Sequence, residues 1–321
     1  MDVTSPIGKA EDVLILGLQT QLQTGLSILD YGELWMYAIR YEHYRLVSFF
    51  LEHKFPIDKQ VSIGFGNTTT TAAIHEACNE RNIRMVAFLL DHGADIHLCD
   101  SLGLTPLMYA ISPHVIYVGE SGWVDDSGSL PLIRYLVERG VNVNQQSSGL
   151  DADHPCTNIP NITALHIACQ HKQVKVVQFL VECGANIHAV NAKNLNALHY
   201  ACTYYRMINS KDMALLKYLL DQGVDVHERS VYGYTPFDYA MICEDVNTVP
   251  FLLTYAPSPR NISESAPLFL RVYKRNYRSL MILFWMAVGK RNPKSTLHVL
   301  PTDLLRLLQS HLCIPKDSSF V

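Results

Sequence analysis

The strongest constraint on this chain is a segment that returns. Thr163-Ala164-Leu165-His166-Ile167-Ala168-Cys169 leads into the apolar run Val176-Val177-Gln178-Phe179-Leu180. Glu182-Cys183-Gly184-Ala185-Asn186-Ile187-His188 follows, and the pattern restarts at Asn196-Ala197-Leu198-His199-Tyr200-Ala201-Cys202, so His166 and His199 stand 33 residues apart. A unit of that length leaves its apolar face half exposed when alone, and stacking on a neighbouring copy buries it. His75 to Gly93 and His166 to Gly184 are both intervals of 18 residues. That length suits two short antiparallel helices and a turn, with Gly93, Gly140, Gly184 and Gly223 supplying the left-handed residue that ends each second helix.

The period, the Thr-Pro-Leu-His-x-Ala helix start and the Leu-Leu-x-x-Gly-Ala close resemble the ankyrin repeat. The resemblance implies an all-α solenoid of about six helix-pair repeats with short β-hairpin tips, whose first helices and tips line a concave face. It also implies that the motif histidine bonds the neighbouring turn and that the residue after it faces the concave side. The six helix pairs are expected to begin near Leu34, Ala73, Thr105, Thr163, Asn196 and Thr235. The first, around Leu34-Trp35-Met36-Tyr37-Ala38-Ile39, is degenerate and bulky, as a terminal repeat is expected to be.

Three departures from the period mark loops. Fourteen extra residues fall between the helices of the third unit, around 112–128, and include Pro113 and Trp123. Another 11 lie between Ser147 and Pro160, and 6 lie near Tyr204 to Asp212. Residues 1–30 form an N-terminal arm or a capping helix, 31–260 the repeats, and 261–321 a helical tail. Gly64-Phe65-Gly66-Asn67 lacks the third glycine and following helix of a phosphate loop and reads as the linker of the first two repeats.

Composition excludes several function classes. With 48% hydrophobic and 17% charged residues the chain has ample material for a core, and its net charge of -4 offers no bulk attraction to nucleic acid or an anionic membrane. No run reaches the 18 or so apolar residues that span a bilayer, and no early run has signal-peptide form, so a cytoplasmic or nuclear location is expected. Cys78, Cys169 and Cys202 each follow a histidine (His75, His166, His199) by three residues, which resembles metal-ligand spacing. The spacing recurs in register with the repeat, so it reads as structural, with reduced thiols and neither metal nor cofactor. No nucleophile elbow or zinc-protease motif occurs, which argues against an enzyme.

Binding remains. The positions after the histidine are Glu76, Tyr109, Ile167, Tyr200 and Tyr239, and tyrosine suits recognition because it joins a large contact area to a polar tip. Tyr109, Tyr200 and Tyr239 are expected to lie on the concave face and to be partly open to solvent. Trp123 and Tyr204, in the long loops, complete the candidate target-binding set.

In the tail, Ser279-Leu280-Met281-Ile282-Leu283-Phe284-Trp285-Met286-Ala287-Val288 and Leu300-Pro301-Thr302-Asp303-Leu304 resemble the SOCS box of ankyrin-repeat substrate receptors. Phe284 stands where that family has cysteine, and Asp303 where its second element has proline. The Leu-Pro-x-x-Leu-Leu helix also resembles the start of the truncated F-box of viral ankyrin proteins, which binds the Skp adaptor. Either resemblance implies docking to a cullin-type ubiquitin ligase, through elongin C and a cullin or through a Skp-type adaptor, by Leu280, Phe284, Val288, Leu300, Pro301 and Leu304. A pair of helices that only caps the last repeat is the alternative.

Overall fold

A computed structural model describes residues 6–23, 27–62, 70–111, 126–148, 160–203, 210–242, 248 and 251–252. The chain divides into two compact units, 1–192 and 193–321. Among the described residues the structure is helical apart from one two-residue antiparallel pairing of β1 (Val61–Ser62) with β2 (Thr70–Thr71).

The first unit starts with α1 (Pro6–Gln23), so the N-terminal segment is a helix rather than a loose arm. Four helix pairs follow: α2 (Gly32–Arg40) with α3 (Tyr44–Glu52), α4 (Ala73–Asn79) with α5 (Ile83–Asp91), α6 (Pro106–Ile111) with α7 (Asp126–Glu138), and α8 (Ala164–Gln170) with α9 (Val174–Glu182). The first helices α2, α4, α6 and α8 pack successively on one another, as do the second helices α5, α7 and α9, and α1 packs on α3. The second unit holds α10 (Ala197–Cys202), α11 (Ser210–Asp221) and α12 (Pro236–Ile242), with α10 against both of the others. The helix pairs sit where the sequence period places them. For the sixth, the described residues include the first helix and, beyond it, Thr248, Phe251 and Leu252.

Small residues allow the close approach of first helices. Ala38, Ala77, Ala110 and Ala168 are buried in the first unit, and Ala197, Ala201 and Ala240 in the second. Ile74, Leu107, Leu165 and Leu198 fill the interior beside them, each contributing at about 25 cal/mol per Å² of apolar surface removed from water. The degenerate first repeat substitutes an aromatic cluster. Trp35 meets Phe50 edge-on at 5.6 Å and Phe55 at 5.0 Å.

The hairpin turns share one hydrogen-bond pattern. Asp100 N donates to the Leu104 carbonyl while Leu104 N donates to Asp100 Oδ1, and Ser147 with Ile162, then Ser230 with Tyr234, repeat the exchange. The 11 extra residues of the third-to-fourth linker fall in sequence between Ser147 and Ile162, whose exchange of bonds is kept. Neighbouring tips are linked sideways: Asn144 Nδ2 donates to the Gly184 carbonyl and Asn144 Oδ1 accepts from Asn186 N at 2.7 Å.

The left-handed position at the end of each second helix carries glycine in four repeats, but in the first repeat it is Lys54 at φ 60°. Gly103, a turn residue at φ 76°, differs from those glycines in having Ser148 N only 2.2 Å from where a Cβ would stand. Two outcomes are expected in urea denaturation. Lys54→Gly should leave stability unchanged or raise it by a few tenths of a kcal/mol, since relief of the left-handed strain offsets the added unfolded-state entropy. Gly103→Ala should cost clearly more than the roughly 1 kcal/mol of Gly184→Ala, because Ser148 backbone must move and at Gly184 no atom lies within 4 Å.

Candidate protein-binding face

The site is built on the first-helix layer, so the groups that hold that layer come first. His75, His166 and His199 occupy the same position in their helices and make the same two bonds. Nδ1 accepts from the backbone N–H that starts the residue's own helix: Ala72 at 3.2 Å, Thr163 at 3.1 Å and Asn196 at 3.2 Å. With Nδ1 accepting, Nε2 carries the proton and donates to a carbonyl of the following hairpin: Leu98 at 3.0 Å, Ala189 at 3.0 Å and Tyr234 at 3.1 Å. Each imidazole thus satisfies an orphan donor of its helix and ties that helix to the next turn. Thr163 and Asn196 add caps of their own, their side-chain oxygens accepting from the motif histidine N–H. In the sixth repeat Asp238 takes the histidine position and accepts from Thr235 N and Thr235 Oγ1.

Burial disfavours the charged form of His75 and His199. It lowers the pKa of His75 to about 4, against hydrogen bonds that raise it, and it lowers that of His199. His171, at the end of α8, is also lowered to about 4 by burial. The same burial raises the thiol of Cys169 to about 12 and that of Cys78 further. Cys78, Cys99, Cys169, Cys183 and Cys202 are free cysteines. The recurring His-x-x-Cys spacing is therefore a packing pattern, with both histidine nitrogens engaged by backbone and the thiol in the core. Among the described residues no three histidine, cysteine or carboxylate groups gather as a metal site.

The residues after the histidine lie deeper than expected. Tyr109 is only 1% exposed and Tyr200 6%, so the expected partial opening to solvent fails for both. Tyr239 is intermediate. The histidine of the preceding repeat covers part of two of these rings: Tyr109 packs on the His75 ring at 5.0 Å, and Tyr239 meets His199 edge-on at 5.4 Å. Tyr109 also donates its hydroxyl to Asp100 Oδ2 at 2.7 Å, inside the turn that Asp100 organises through Leu102 N and Leu104 N. Burial raises the pKa of Asp100 and of Tyr109. Ile167 and Glu76 are buried as well, and Glu76 is ion-paired with Arg40. Trp123, Tyr204, Leu280, Phe284, Val288, Leu300, Pro301 and Leu304 lie outside the described residues.

One position in the register was passed over. Tyr37 follows Met36, which stands in α2 where later repeats have histidine, and it is 46% exposed. Tyr41, one turn on, is 57% exposed, and their rings lie 4.6 Å apart at 44°. His43 stacks on Tyr37 at 5.5 Å and is held by Glu11 of α1 through Nδ1 at 3.0 Å. The signal was available in the alignment of Ala38 with Ala77. The bulky, degenerate first repeat obscured it.

A family model for ankyrin repeats (3 copies) matches residues 34–119, 123–209 and 165–263. The chain is an ankyrin-repeat protein. It is 26% identical over 188 residues to an ankyrin repeat protein of Acanthamoeba polyphaga mimivirus, covering 54% of this chain and 24% of the relative. It is 28% identical over 181 residues to an ankyrin repeat protein of fowlpox virus, covering 56% and 46%. The palmitoyltransferase AKR1 of Lachancea kluyveri is 29% identical over 140 residues, 42% of this chain and 17% of that protein. The chain thus spans less than half the length of each of these relatives. Among the described residues no helix is long and apolar enough to cross a membrane.

The motif histidines make the ankyrin array acid-sensitive. Unfolded imidazole takes up its proton near 6.5 and folded His75 only near 4, so stability is whole above pH 6.5 and falls as pH drops toward 4. His75 contributes a slope of up to about 1.4 kcal/mol per pH unit within that window. Asp100, with its raised pKa, opposes the loss at the acid end. The urea midpoint should fall across this range. His75→Asn, though less stable at neutral pH, should show a shallower fall; an equal slope in wild type and variant counts against the histidine origin.

Proposed function

We propose that this ankyrin-repeat protein is a non-catalytic adaptor that grips a protein partner through the first-helix face of its N-terminal repeats. The observation that carries the reading is the exposed pair Tyr37 and Tyr41, two large amphipathic rings of which Tyr37 holds the register position that is buried in Tyr109 and Tyr200. Half-exposed aromatic pairs on a rigid helical scaffold suit partner recognition, where tyrosine gives contact area at low entropy cost. A non-catalytic role is supported by the motif histidines. Both ring nitrogens of each are bonded to backbone, which leaves none of these three imidazoles free for proton transfer. The contact set extends to partly open Tyr239, and to Trp123 and Tyr204 because long loops often carry function. Glu76, Tyr109, Ile167 and Tyr200 take part by shaping the layer beneath. A cytoplasmic or nuclear location fits the reduced thiols.

The proposal includes the tail. Its support is the sequence pattern at Leu280, Phe284 and Val288, spaced four residues apart as a ridge for a partner groove, and at Leu300, Pro301 and Leu304. On this reading the adaptor is a substrate receptor that delivers its target to a cullin-type ubiquitin ligase through elongin C or a Skp-type protein. A scaffold whose tail only caps the repeats is the competing reading.

Affinity purification of the full-length chain, read by mass spectrometry, separates the parts. Tyr37→Ala with Tyr41→Ala should lose the target at least about tenfold and keep the ligase adaptor. Leu280→Asp should do the reverse, since a carboxylate placed in an apolar groove has no counter-charge. If Leu280→Asp lowers the melting temperature and no adaptor is recovered with wild type, the tail is a cap.

A further inference from the structure

We infer that the tyrosine face of α2 takes a basic segment of the partner, with a lysine or arginine side chain laid against the Tyr37 and Tyr41 rings. The inference rests on reading this face as the partner surface and adds the chemistry of what it binds. Aromatic surface alone fits an apolar side chain as well as a cation. The surrounding charges decide between them. Glu33, Tyr37, Arg40 and Tyr41 fall at i, i+4, i+7 and i+8, one stripe of the helix, and Glu33, Tyr37 and Tyr41 are exposed along it. Glu42, directly after Tyr41, is exposed as well.

Arg40 does not offset these carboxylates, because it is bonded to Glu76 of α4 and has Glu80 at 3.8 Å. Glu80, on the same neighbouring helix, remains partly open. Three basic groups near α2 are also engaged. Arg45 of α3 pairs with Asp12 of α1, and Lys59 donates to the Leu29 carbonyl while lying over the Phe55 ring. His43 is held by Glu11. The stripe therefore presents aromatic rings in a negative field.

Each alternative occupant fails on this arrangement. An apolar segment would desolvate Glu33 and Glu42 without a counter-charge, and an acidic one would be repelled. A basic segment satisfies both features at once. Its cation gains the ring quadrupole and the carboxylates together, and the fixed Tyr37–His43 stack keeps the ring in place for it.

Selection of phage-displayed random peptides on the full-length protein tests the inference. The winners should be enriched in lysine and arginine, should release at raised salt, and should bind the Tyr37→Ala/Tyr41→Ala protein at least about tenfold more weakly. Tyr37→Phe/Tyr41→Phe should bind nearly as wild type, because the ring face and not the hydroxyl does the binding. Glu33→Lys/Glu80→Lys, which changes only accessible side chains, should lose the basic winners and reads the charge requirement even if the alanine pair disturbs α2. Neutral, apolar or acidic winners that still need the tyrosines overturn the basic partner and leave the face as a binding site. Winners indifferent to the alanine pair, or no winners at all, overturn both readings.

Discussion

The imidazole that spans two repeats is the interaction on which the rest depends. A short helix has four backbone donors without intrahelical partners and too few turns to be stable alone, so its first turn must be tied down from outside. His75, His166 and His199 do that with one nitrogen and fasten the next hairpin with the other. One side chain therefore joins local capping to the stacking of neighbours. Because the bond pattern requires the neutral ring, the array is most secure where imidazole is unprotonated, and burial enforces that state.

The same staple explains where the tyrosines go. Tyr109 and Tyr239 lie against the histidine of the preceding repeat, and Tyr109 spends its hydroxyl on the turn that Asp100 builds. Tyr109 is buried against the His75 ring, and Tyr239 beside His199 is partly covered. In the first repeat Met36 stands in the histidine position, and among the described residues the element ahead of it is α1. Tyr37 is left outside with Tyr41 as its neighbour. The face offered for recognition is thus a consequence of position in the array as much as of residue type.

Recognition and stability are accordingly divided along the layer. The interior of the first unit contains alanines, leucines and the engaged histidines, while the stripe Glu33, Tyr37, Arg40 and Tyr41 adds little to the core. Changes on that stripe should have small effects on folding, since surface substitutions away from caps and cavities cost little. The Glu76–Arg40 pair is the exception, with a buried carboxylate whose removal would leave Arg40 without its main partner.

The repeat period determined the helix pairs and the glycines of the left-handed ends, because each follows from local spacing that recurs, while the histidine-to-turn bond was what the ankyrin resemblance implied. Residues 6–23 gave no clear period and still form α1, which gains its stability from α3 and from Glu11 and Asp12 meeting His43 and Arg45. The depth of Tyr109 and Tyr200 was not legible, since a register states which way a side chain points and not what already stands there. The ion pairing that commits Arg40 was equally hidden, because Glu76 lies 36 residues away on another helix. Sequence alone determined what recurs within one repeat. Only the tertiary structure decided which of the equivalent positions has a neighbour over it, and that depends on contacts between repeats that no single repeat contains.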